Sequence, residues 1–226
     1  MKKLNIINLC LTIPILIGAV FYIIDSSLLL KSILSFGFVL IGAINLFFAL
    51  KNKTEHKKFA ITIFIGLVLA MLGDIVLELH FILGALVFAL GHVFFFISYC
   101  FNSKFEVKNL IYSAIIFVPV TTFMLFAPIF DFGGIVMQIV CIFYALVISL
   151  MTGKAIANFA KNKNTLNLVI MLGSLLFLVS DFVLLLNVFS EISKGFKFMC
   201  IATYYPAECT LAYSILKTIN KQKSGN

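Results

Sequence analysis

The chain contains no arginine and no tryptophan, and its nine acidic residues face seventeen lysines. It also lacks any extended polar segment, the longest polar stretch being 51–58. A nucleic-acid module needs a basic face on a folded soluble domain, so the positive charge does not point to nucleic acid. Cys10, Cys100, Cys141, Cys200 and Cys209 form neither a C-x-x-C pair nor a metal-ligand spacing, and all lie in apolar sequence. They read as small buried residues. Nothing resembles H-E-x-x-H, a serine-nucleophile elbow or a phosphate loop. No linker or low-complexity tract divides the chain, so 1–226 reads as a single integral membrane domain.

What is present is apolar. Hydrophobic residues make up 62% of the chain, against about 45–50% in soluble domains. They fall into blocks at 4–24, 28–50, 59–79, 81–101, 109–128, 132–157, 166–189 and 196–218. A spanning helix needs roughly 20 such residues, whereas membrane strands alternate over about 10. The expected fold is therefore all-α, a polytopic bundle of about eight transmembrane helices. The first block follows Lys2 and Lys3 but is not followed by a small-residue cleavage site, and reads as a retained helix. If the helices alternate, fourteen lysines share one face: Lys2, Lys3, Lys51, Lys53, Lys57, Lys58, Lys104, Lys108, Lys154, Lys161, Lys163, Lys217, Lys221 and Lys223. Only Lys31, Lys194 and Lys197 fall on the other. The positive-inside rule then puts both termini in the cytoplasm, as expected for a bacterial cytoplasmic membrane.

The two halves share a pattern. Gly66, Gly73 and Asp74, followed by Ile-Val-Leu, match Gly173, Ser180 and Asp181, followed by Phe-Val-Leu. Four spans separate them, which implies a 4+4 parallel internal repeat about an axis along the membrane normal. Small residues seven apart lie on one helix face and allow close packing. Asp74 and Asp181 each lie fifteen residues beyond the start of their apolar block. At 1.5 Å per residue that depth is ~22 Å, so both acids share a layer in the outer half of the membrane. Intramembrane acids are costly and usually face a cavity or a partner.

Other polar residues are candidates for the same layer. His92 lies within the fourth block, between Gly91 and a Phe94-Phe95-Phe96 run. Glu208 lies at similar depth in the eighth, with Tyr204 four residues earlier on its face and Pro206 expected to free carbonyls towards a cavity. Glu78 is one turn beyond Asp74, either in the site or at the solvated edge. Lys31, at the outer start of the second block, can meet a phosphate or snorkel. His80 reads as a polar turn residue and His56 as solvated.

These motifs, Gly73-Asp74-Ile-Val-Leu, Gly84 to His92 with aromatics after it, Ser180-Asp181-Phe-Val-Leu and Tyr204-Tyr205-Pro206-Ala207-Glu208, resemble the lysoplasmalogenase family of YhhN-like membrane proteins. The resemblance implies a hydrolase that cleaves the vinyl-ether bond of a lysophospholipid substrate. The products are a fatty aldehyde and a glycerophospho-ethanolamine or -choline. It places Asp74, Asp181 and His92 in catalysis. The family usually has glutamine where this chain has Glu208, and Lys-Pro where it has Lys31-Ser32. The chemistry suits the residues: carbon protonation needs an acid that keeps its proton, which low dielectric favours, and the resulting cation needs an ionised carboxylate. No metal or organic cofactor is required. Glu208, Tyr204, Glu78 and Lys31 are expected to bind substrate. The alternative is a small secondary transporter or proton-coupled carrier, which parallel repeats and midplane acids also fit.

Overall fold

A computed structural model describes residues 2–191 and 196–223, the side chains of 220–223 excepted. Lys194 lies outside the described residues, as do the side chains of Lys221 and Lys223. The described chain is eight α-helices: α1 (Lys2–Ile24), α2 (Leu28–Lys51), α3 (Lys57–Leu79), α4 (Phe81–Asn102), α5 (Asn109–Phe126), α6 (Ile135–Lys161), α7 (Thr165–Phe189) and α8 (Phe196–Lys223). Each apolar block is one helix. Polar residues mark their ends: the Ser27 hydroxyl accepts from the Leu30 amide, and the Asn164 side chain from the Asn167 amide. His80 is the whole connection between α3 and α4, and its Nδ1 accepts from the Leu83 amide at 3.4 Å.

Ile6, Leu9, Ile13, Ile17 and Phe21 of α1 are exposed, as are Ile111, Ile115 and Val118 of α5. In water such a surface is unfavourable by about 25 cal/mol per Å². In hydrocarbon it carries no such penalty. Seven helices are long and apolar enough to cross a membrane, and α8 is the exception. Its Thr203, Tyr204, Tyr205, Glu208 and Thr210 lower its apolarity, but it is enclosed by α1, α2, α3 and α7 rather than turned to lipid. Pro206 does not interrupt it.

The helices alternate in direction. Asn8 and Asn45 exchange amide hydrogen bonds at 2.9 and 2.7 Å, joining the start of α1 to the end of α2. At the same end, the Lys154 ammonium of α6 donates to the Lys104 carbonyl at 2.9 Å. There too, the Asn102 amide of α4 donates to Asn167 of α7 at 2.6 Å. Lys53, Lys104, Lys108 and Lys163 lie in the connections at this end, and Lys51 closes α2 there. At the other, Lys31 of α2 meets Glu78 of α3, and Phe130 forms an isolated backbone bridge with Ser190.

Helix neighbours recur with a shift of four. The pairs α1–α2, α2–α3 and α3–α4 correspond to α5–α6, α6–α7 and α7–α8, while α4–α6 corresponds to α8–α2. The contacts of α8 with α1 and α3 have no such counterpart among the described residues, so the correspondence between the halves is partial. Glycines set the spacing of the tightest pair. A Cβ on Gly84 would fall 2.4 Å from the Leu77 Cα, and one on Gly73 would meet the Phe88 ring at 2.6 Å. The first contact is with backbone and cannot relax by a rotamer change. Gly84→Ala is therefore expected to destabilise the protein by about 1–3 kcal/mol. Thermal unfolding in detergent checks this, and Gly134→Ala, with open space around its Cβ but a φ of 149°, separates backbone strain from helix clash.

Candidate active site

A carboxyl group brought into the bundle needs donors from the bundle. Asp74 is 3% exposed. Its Oδ2 accepts from the Tyr204 hydroxyl of α8 at 2.7 Å and from the Ser35 hydroxyl of α2, while the Lys31 ammonium lies 3.7 Å from Oδ1. Asp181 takes a matching set. Its Oδ2 accepts from the Tyr144 hydroxyl of α6 at 2.6 Å and lies 3.2 Å from Nε2 of His92 on α4. That nitrogen is also 2.8 Å from the Tyr144 hydroxyl. The other ring nitrogen of His92, Nδ1, is buried without a partner among the described residues. The tautomer with hydrogen on Nε2 therefore leaves only a lone pair unsatisfied. The imidazole is fixed edge-to-face on Phe177, with ring centres 4.6 Å apart.

The two sets correspond through the repeat. Ser35 precedes Asp74 by 39 residues and Tyr144 precedes Asp181 by 37. The α2–α3 connection is two residues longer than the α6–α7 connection, which accounts for the difference. Likewise Tyr204 lies five residues further beyond Asp181 than His92 lies beyond Asp74. The α7–α8 connection is five residues longer than α3–α4. Each aspartate is thus held by the helix before its own and by the last helix of the opposite half.

Both aspartates line one cavity of about 950 Å³. One part is apolar, walled by Val120, Met124, Cys141, Ala145, Ile148 and Leu178 of α5, α6 and α7. The other carries Tyr22, Lys31, Glu78 and Lys197. There the Glu78 Oε1 accepts from the Lys31 ammonium at 2.9 Å and from the Tyr22 hydroxyl at 3.3 Å. Ser149 also lines the cavity, with a buried hydroxyl that has no partner among the described residues.

Of the residues singled out from sequence, Asp74, Asp181, Tyr204, Glu78 and Lys31 line this cavity, and His92 stands behind Asp181. Glu208 does not line it: the side chain is fully buried, and both carboxyl oxygens lack a hydrogen-bond partner among the described residues. Tyr204 bonds Asp74 rather than Glu208, because helical side chains lean towards the N-terminus of their own helix. Pro206 opens no break beside them. Ser35, Tyr144, Tyr22 and Lys197 are additions. Carrying the repeat register into α2 and α6 with the loop-length difference would have set Ser35 against Tyr144. Among the described residues, no group of three or more His, Cys, Asp or Glu could hold a metal ion.

The fold and site define a polytopic helical membrane protein with two carboxyl groups, each braced by side chains of other helices, on one cavity of about 950 Å³. The YhhN family model matches residues 34–215, and the chain belongs to this family, the family of lysoplasmalogenases. No curated protein and no solved structure matches the chain significantly.

Removing one donor from a buried carboxyl costs about 1–3 kcal/mol. Tyr204→Phe should lose stability in that range in the wild-type background and much less in an Asp74→Ala background, which leaves the hydroxyl no acceptor there. A thermal-unfolding double-mutant cycle reads the coupling, and additive losses would show that the bond contributes nothing.

Proposed function

We propose that the chain is a lysoplasmalogenase, hydrolysing the vinyl-ether bond of a one-tailed ether phospholipid to a fatty aldehyde and a glycerophospho head group. The observation that carries this reading is the pair of carboxyl groups on one cavity, each oriented by two side chains from different helices. The apolar compartment suits an alkyl tail and the charged one a head group. The cavity volume lies within the range of small-molecule sites, about 300–1,000 Å³.

The reaction begins with proton transfer to the vinyl carbon remote from oxygen, leaving an oxocarbenium ion. Water adds to that cation, and the hemiacetal collapses to aldehyde and alcohol. The partners of the two acids divide the work. Asp74 faces an ammonium and two hydroxyl donors, which suits a charged carboxylate that stabilises the cation and orients water. Asp181 takes its hydrogen bonds through Oδ2 and leaves Oδ1 for proton delivery. Tyr144 and His92 hold that carboxyl in place and supply a hydrogen-bonded route for the returning proton. No step calls for a metal or organic cofactor.

The carrier reading finds less support. Transporter sites of this kind are commonly built on discontinuous helices, whereas α3, α7 and α8 run unbroken past Asp74, Asp181 and Glu208. The products also separate the readings, since an enzyme releases aldehyde in detergent and a carrier requires a sealed vesicle. General acid–base groups contribute about 10²–10⁴-fold. Asp74→Asn and Asp181→Asn are each expected to lower kcat/KM for aldehyde release from lysoplasmenyl-ethanolamine by that factor. Full activity in both variants would contradict the mechanism.

The lysine-rich end belongs in the cytoplasm by the positive-inside rule, with both termini there and the charged compartment towards the outer leaflet. Green fluorescent protein fused to the C-terminus should fluoresce, and alkaline phosphatase fused there should be inactive. The reverse pattern would invert this topology.

A further inference from the structure

The charged compartment holds more than a phosphate would need. Glu78 is an acid at the edge of the bundle, its side chain 41% exposed. Its described hydrogen bonds, from Lys31 and Tyr22, fall on Oε1, leaving Oε2 available. Two cations flank it. Lys31 is turned inward, shared between Glu78 and Asp74. Lys197 lies over the Tyr22 ring, 5.3 Å from its centre, and donates to the Ser26 hydroxyl. Among the described residues Lys197 has no carboxylate within salt-bridge distance, so its charge is the one still open to an anion.

We propose that this compartment reads a zwitterion, with a phosphate on Lys197 and a primary ammonium on Oε2 of Glu78, so that an ethanolamine head group is selected over a choline. The inference rests on the proposed function for the tail and the vinyl ether, but the head-group geometry stands on these residues alone. A primary ammonium brings three N–H donors to a carboxylate, and charge-assisted bonds of this kind are the strong ones. A quaternary ammonium has none and depends on open aromatic faces. The Tyr22 ring, whose hydroxyl bonds Glu78, already has Lys197 over it. Trimethylation would therefore remove the hydrogen bonds and find the Tyr22 face already occupied. A head group without nitrogen would bring the phosphate beside Glu78 with no ammonium for Oε2.

Binding separates this idea from catalysis. Saturated 1-O-alkyl lysophospholipids cannot be cleaved as vinyl ethers and can be titrated onto the purified protein in detergent by calorimetry. With ethanolamine, N-methyl-, N,N-dimethyl-ethanolamine and choline head groups on one tail, wild type should bind progressively more weakly, by about tenfold or more from first to last. Glu78→Gln should erase that series by weakening the ethanolamine lipid alone, whereas Lys197→Met should weaken all four alike. The series on wild type needs no variant to fold. Equal affinity across the head groups, no binding of any of them, or a Glu78→Gln loss equal for ethanolamine and choline would overturn the proposal. If the series holds while lysoplasmenyl lipids are not hydrolysed, the head-group reading survives and the assigned reaction does not.

Discussion

A carboxyl group within hydrocarbon has no water to hydrogen-bond. Glu208 is left without a partner among the described residues, whereas Asp74 and Asp181 are supplied with donors by the protein. These two aspartates, on one cavity, bind several helices together. Asp74 on α3 draws in α2 through Ser35 and Lys31, and α8 through Tyr204. Asp181 on α7 draws in α6 through Tyr144 and α4 through His92. Six helices are thereby tied to two side chains. The α8 helix can afford its Thr203-to-Glu208 polar stretch because it is enclosed by neighbours. The arrangement that satisfies the acids also orients them, since every donor sits on a rigid helix rather than a loop.

Glycine lets this bracing close. Backbones carrying two acids and their donors must approach closely, and Gly84 against Leu77 removes the Cβ that would hold α3 and α4 apart. The cavity lies where that tight packing gives way to the looser α5–α7 side. There Met124, Cys141, Ala145 and Phe189 form a smaller apolar cluster, separate from the main core. A site with one apolar arm and one charged arm follows from this difference, and it matches an amphipathic lipid.

Much of this was legible in the sequence because anomalies in apolar sequence stand out. Eight apolar blocks give eight helices, and Asp74, Asp181 and His92 are conspicuous where hydrocarbon disfavours them. Their partners were not. Ser35 and Tyr144 are uncharged and pass unnoticed among leucines and phenylalanines, and only the loop-corrected repeat shows that they correspond. Tyr204 was read with Glu208 from their spacing of four, but its tilt along α8 carries its hydroxyl to Asp74 instead. Lys31, at the outer start of α2, reads from sequence as meeting a phosphate or snorkelling. Pairing with Glu78 turns it inward, and that pairing joins helices whose register spacing alone does not reveal.

The central claim is that a carboxyl proton is delivered to carbon, and one measurement addresses it directly. Purified protein given lysoplasmenyl-ethanolamine in heavy water, with the aldehyde reduced as it forms, should yield an alcohol carrying one deuterium on the carbon next to the hydroxyl-bearing one. That label records protonation of the vinyl carbon. Aldehyde with hydrogen alone at that carbon would contradict the account, and so would an absence of aldehyde from the intact protein.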